Sequence, residues 1–154
     1  MNQSNKLIAV NEDKTGAKVN VKHCNSLAAC PVEVMSFYYK YKSKLLEDGF
    51  GTSTIGIGPQ QQAIYIEIEN KVVGHIIFEY IDKQKRTWIE LSAVDIDYRR
   101  RGLYKIMHRH FEELSKKLGA VEISSFIHIN NQDRLRSAES VGFLPMFYRM
   151  SKYI

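Results

Sequence analysis

The chain has 154 residues, enough for one domain over residues 1–154 that buries about 68–70% of the surface its unfolded form exposes. Its 22 Lys and Arg outnumber 17 Asp and Glu for a net charge of +5, which suits a polyanionic ligand. Near the start the longest apolar run is Leu7 to Val10, and Cys24 and Cys30 match no metal or redox spacing, so no membrane span, signal core, disulfide framework or metal site is expected, and a cytoplasmic protein with free thiols is.

Residues 1 to 29 show little periodicity, with Lys18 to His23 an expected edge strand. Pro31 suits the first position of a helix reaching about Leu46. In that helix Phe37, Tyr38, Tyr39 and Tyr41 interleave with Lys40, Lys42 and Lys44, the pattern of a packed face flanked by lysine stems. Ile64, Ile66 and Ile68 alternate with Tyr65, Glu67 and Glu69, which predicts a half-buried strand. After a turn at Asn70-Lys71, Val72 to Ile81 forms a second strand, Asp82 to Arg86 a polar turn and Thr87 to Val94 a third strand, together an antiparallel meander.

From Leu103 the apolar spacing becomes helical, with Leu103, Ile106, Met107, His110, Leu114 and Leu118 on one stripe and Gly119 closing the helix. Val121, Ile123, Phe126, Ile127 and Ile129 read as a near-continuous apolar strand, parallel to the third and joined to it by a right-handed crossover. A helix over Asp133 to Val141 stops at Gly142, and Phe143 to Met150 is expected as a terminal strand. The class is α/β with a mixed sheet.

The junction from Val94 to Tyr104 is the richest stretch, because an apolar strand ends there and an amphipathic helix begins across Gly102. A helix start leaves about four N–H groups without intrahelical partners and carries roughly half a positive charge, which favours anions. Gly102 lets backbone approach a phosphate closely, while Arg99, Arg100 and Arg101 add positive charge. Neither the Gly-x-x-x-x-Gly-Lys-Ser/Thr loop nor the Gly-x-Gly-x-x-Gly fingerprint occurs. No RNA-binding aromatic signature or basic helix is present either, so nucleic acid is not the expected partner.

Arg99-x-x-Gly102-x-Tyr104 resembles the Gln/Arg-x-x-Gly-x-Gly/Ala signature of the GNAT family of N-acetyltransferases, and Asn131 followed by Gly142-Phe143 resembles its second motif. The element order from Ile64 to Met150 is also that of the family. The resemblance implies a GNAT-type sheet, with an antiparallel N-terminal meander and a parallel, splayed strand pair around a central helix. It implies acetyl-coenzyme A as the cofactor, its pyrophosphate on Arg99, Arg100, Arg101, Gly102, Leu103 and Tyr104, its pantetheine against Ser92, Ala93 and Val94, and a further contact at Asn131. A backbone N–H of the Ser92–Val94 segment would also stabilise the oxyanion, a contact worth about 2.7–4 kcal/mol where such donors are removed elsewhere.

An amine acceptor arrives protonated, so a base is needed. Glu90 is the candidate, a lone carboxylate inside Trp88-Ile89-Glu90-Leu91-Ser92-Ala93-Val94; the plain alternative is a solvated glutamate like Glu67 or Glu69. His128 is another candidate base. Where the family carries a tyrosine to protonate the leaving thiolate this chain has Ala138, which leaves Ser137, Tyr148 or water for that step. Tyr104 stands in place of a small residue; off the first helical turn its ring is expected toward solvent, which leaves room for the cofactor. The implied activity is acetyl transfer to a primary amine of a small molecule or protein. A coenzyme A-binding regulatory module without turnover, and a toxin acetylating aminoacyl-tRNA, are the alternatives; homodimer formation stays open.

Overall fold

The computed structural model describes residues 5–50 and 57–154. Among these, six strands lie side by side in chain order: β1 (Asn5–Glu12), β2 (Lys18–Cys24), β3 (Gln62–Ile68), β4 (Lys71–Ile81), β5 (Arg86–Val94) and β6 (Glu122–Ser125). Neighbours are antiparallel from β1 to β5, and β5 and β6 are parallel. Helices α1 (Val32–Glu47), α2 (Leu103–Leu118) and α3 (Gln132–Ser140) complete the fold. The mixed sheet expected from the meander and the strand–helix–strand unit is therefore present.

Side-chain alternation divides the core into two layers. Leu103, Met107 and Phe111 of α2 pack with Val19, Val21, Ile64, Ile66, Ile76, Phe78 and Ile89 on one face. Val34, Phe37, Tyr38 and Tyr41 of α1 pack with Tyr65, Ile77 and Leu91 on the other. Because helices cover both faces, β3 is buried throughout rather than half-buried: Tyr65 is inaccessible and Glu67 is buried and paired with Lys22 at 3.1 Å. The alternation of Ile64, Ile66 and Ile68 reports only the α2 face.

The chain departs from the sequence-based expectation at four further places. Lys18–Cys24 is an inner strand, because β1 pairs outside it; β1 escapes pattern reading because it is the edge, with Leu7 and Val10 exposed among Asn and Lys residues. Pro31 is the residue preceding α1 and not its first position. The buried stripe of α2 is rotated toward His108 and Phe111, while His110 lies at the margin and binds Asn11 at 2.8 Å. Finally, β6 is only four residues long, Phe126 and Ile129 are exposed, and residues 143–154 form no strand. Pro145 removes a ladder donor from that segment, and its apolar residues do not alternate.

No helix among the described residues is long and apolar enough to cross a membrane. Cys24 and Cys30 are free thiols.

Candidate active site

The parallel pair opens where a β-bulge interrupts β5. Ile77 pairs with Leu91 and Phe78 with Ile89, so Glu90 is the extra residue. A bulge bends its strand and strengthens the local twist. Pairing with β6 stops at the same point: Ile89 opposite Ser125 is the last matched pair, and the Ser125 hydroxyl donates to the Ile89 carbonyl at 3.3 Å. Beyond it, Leu91 to Val94 have β4 on one side and, among the described residues, no strand on the other. A cavity of about 930 Å³ occupies the wedge. That volume lies within the roughly 300–1,000 Å³ range of small-molecule sites.

One end of the cavity is the loop between β5 and α2. Asp95, buried, accepts from the Asp97 N–H at 3.0 Å and starts a single helical turn over Ile96–Tyr98. The Ile96 N–H donates to the Tyr41 hydroxyl at 3.0 Å, which ties the loop to α1. Gly102 precedes α2 with φ +78°, a left-handed conformation that a Cβ disfavours. The first helical bond runs from the Ile106 N–H to the Gly102 carbonyl, so the N–H groups of Leu103, Tyr104 and Lys105 lie ahead of the ladder. Arg99 and Arg100 line the cavity beside Gly102, and Arg99 Nε donates to the Val94 carbonyl at 3.4 Å.

Arg101 does not line the cavity. Its Nε donates to Asp13 Oδ2 at 2.6 Å and its guanidinium stacks over Tyr98 at 4.9 Å. Tyr104 also differs from expectation, since its ring turns inward and not toward solvent. It stacks on His108, with ring centroids 5.9 Å apart, and its hydroxyl accepts from Arg134 Nη1 at 2.9 Å. Burial pushes the Tyr104 phenol above its ordinary pKa, and the nearby Arg134 opposes that shift. The phenol sits beside the Ser92 hydroxyl, which is buried and makes no hydrogen bond of standard geometry.

The remaining predicted residues converge on the same cavity. Ser92, Ala93, Val94, Leu103 and Asn131 line it, as does Glu90, which has no ion-pair partner among the described residues. Asn131 caps α3 by accepting from the Arg134 N–H at 3.2 Å. His128 lines the cavity too, but its Nδ1 accepts from the Asn130 N–H at 3.1 Å and its ring packs against Phe50. Ser137 reaches the cavity while donating to the Asp133 carbonyl at 3.0 Å, whereas Tyr148 is exposed and outside it; Ala138 is buried. The lining also holds Lys40, Lys42 and Lys44 of α1, together with Lys14 and Arg134, which the sequence pattern did not reveal. Lys14 and Arg134 carried no local signal, because Lys14 lies on a turn distant in sequence and Arg134 has the setting of any solvated helix arginine.

These features fit coenzyme A. Free N–H groups at a helix start, a glycine without Cβ and flanking arginines suit phosphate. A strand with one unpaired edge suits an amide-bearing arm, and beside that edge the buried Ser92 hydroxyl, next to the Tyr104 phenol, makes no hydrogen bond of standard geometry among the described residues. Together they suit a nucleotide-bearing ligand with an amide-containing arm. The chain belongs to the acetyltransferase (GNAT) family, whose model matches residues 30–143. It is an N-acetyltransferase with acetyl-coenzyme A as co-substrate.

Solved structures agree in fold. An aminoglycoside acetyltransferase from an uncultured soil metagenomic sample aligns with TM-score 0.65 at 15% identity, covering 88% of this chain and 98% of its own. The ribosomal-protein-alanine N-acetyltransferase of Brucella melitensis biovar Abortus 2308 aligns with TM-score 0.61 at 11% identity, covering 88% and 99%. Aminoglycoside N-acetyltransferase AAC(6')-Iy, solved in complex with coenzyme A, aligns with TM-score 0.56 at 16% identity, covering 86% and 99%. No curated protein sequence matches significantly.

Proposed function

We propose that the chain transfers the acetyl group of acetyl-coenzyme A to a primary amine of a small molecule or protein, with Glu90 as the general base. The observation that carries this reading is the position of Glu90: it is the extra residue of the bulge where the β5 edge opens, and it lines the cavity without a cationic partner among the described residues. A carboxylate so placed can take the proton of an incoming ammonium group directly or through one water. Acetyl-coenzyme A supplies the activated acyl group and a thiolate leaving group.

In this reading the N–H groups of Leu103, Tyr104 and Lys105, together with Arg99 and Arg100, hold the phosphates, and the open edge of Ser92–Val94 orients the arm. Asn131 keeps the start of α3 against the cavity. Ala138 offers no acid, so the proton for the thiolate comes from solvent or from Ser137, which lines the cavity. The inward Tyr104, held by Arg134, forms part of the wall beside Ser92.

Thiol release from acetyl-coenzyme A over a panel of amines, polypeptides and aminoacyl-tRNA tests the proposal. Release stimulated by small amines or polypeptides is expected. Cofactor binding with no release over the whole panel would favour a regulatory module, and release by charged tRNA alone would favour a toxin.

A further inference from the structure

The turn between β1 and β2 reaches the cofactor loop from the opposite edge of the sheet. The Lys14 N–H donates to the Arg101 carbonyl at 3.1 Å, and Arg101 Nε returns a contact to Asp13 Oδ2 at 2.6 Å. Asp13 is the knot of this junction. Its Oδ1 accepts from the Thr15 N–H at 2.8 Å, the Thr15 hydroxyl at 2.6 Å and the Ala17 N–H at 3.1 Å, and Arg101 Nη2 adds a bond to the Thr15 hydroxyl at 3.2 Å. Although burial alone would raise the Asp13 carboxyl, these donors bring its pKa down to about 2, so it is ionised at any working pH.

The consequence is a fixed place for Lys14. Its stem lies over Gly102: a Cβ there would stand 3.4 Å from Lys14 Cε and 3.6 Å from Cγ. Lys14 lines the cavity beside Arg99, Arg100 and Gly102, and among the described residues it has no carboxylate partner. Arg101, by contrast, spends its charge on Asp13. We propose that Lys14 is a ligand for the pyrophosphate of coenzyme A, and that Asp13 and Arg101 are positioning residues that hold the β1–β2 turn over the loop. The inference rests on the assignment of Arg99–Tyr104 as the phosphate site.

Calorimetric titration of coenzyme A, without acceptor, tests it on the wild-type chain, Lys14→Gln and Lys14→Arg. A lost charge-assisted contact should weaken binding roughly tenfold to a hundredfold in Lys14→Gln, with Lys14→Arg restoring most of it. The same ratio is expected with 3′-dephospho-coenzyme A, because the contact is to the pyrophosphate. Asp13→Asn should weaken binding as well and speed amide exchange at Thr15 and Ala17, which Lys14→Gln should not. A Lys14→Gln variant that binds as the wild type does would overturn this inference alone. A ratio that disappears with 3′-dephospho-coenzyme A would overturn the pyrophosphate assignment. A wild-type chain that binds no coenzyme A would remove the phosphate site and this inference with it.

Discussion

Replacing Gly102 with Ala or Val should separate the two demands this residue meets, which are conformational and steric. At φ +78° an L side chain costs about 1–2 kcal/mol, and a β-branched one more, before any contact is considered. The new Cβ meets only the flexible Lys14 stem at 3.4 Å, so steric cost in the apo protein is small and the backbone term dominates. At about 2–4 °C per kcal/mol for a chain of this size, Gly102→Ala should lower the apo melting temperature by roughly 2–8 °C. Coenzyme A affinity should fall further than stability, since the Cβ pushes on the Lys14 stem and crowds the proposed phosphate site beside it, and Gly102→Val should abolish binding. Differential scanning calorimetry with and without coenzyme A reads both effects. A Val variant that is folded and binds coenzyme A normally would refute the loop assignment.

Two other predictions follow from the core and from the base. Glu90→Gln should retain cofactor affinity but lower turnover by roughly 10²–10⁴-fold at neutral pH, with the deficit shrinking as pH approaches the pKa of the acceptor amine; a wild-type rate at neutral pH would move the base to His128 or water. His75 is fully buried beside Phe37 and Tyr38, its ring nitrogens make no hydrogen bond of standard geometry among the described residues, and burial, opposed by the backbone at His75 and Ala93, holds its pKa down to about 3. Because the folded value lies below the unfolded one of about 6.5, its contribution is intact above pH 6.5 and is lost as pH falls toward 3, by roughly 2 kcal/mol at pH 5. His75→Leu should flatten the fall of stability between pH 6.5 and 5 by about one proton's slope, although His23 and His108, lowered chiefly by burial, leave a remainder. Equal slopes in the two proteins would contradict the assignment.

The meander, the α2 helix and the Gly102 junction were legible because each rests on local chemistry: alternation, helical spacing and a glycine between strand and helix. The bulge at Glu90 was not, since it is a register event seen only once β4 is paired. The same holds for the burial of Tyr65 and Glu67, which depends on α1 covering the other face, and for the inner place of β2. Arg101 counted equally with its neighbours in the sequence, yet it is withdrawn by Asp13, 88 positions away. Tyr104 was expected outward because only its own helix was in view; Arg134 and His108 draw it in. Short-range signals thus located the strand–helix junction at Gly102, while which of its arginines face the cavity depended on long-range pairing.

Titration of the wild-type chain with acetyl-coenzyme A, followed by thermal melting, tests the central claim most directly. At a hundredfold excess over Kd, binding to the native state adds about 2.7 kcal/mol, or an upward shift of roughly 5–11 °C for a chain of this size. The account predicts that shift, together with heat of binding at one equivalent per chain. No heat and no change in melting temperature at millimolar acetyl-coenzyme A would contradict it.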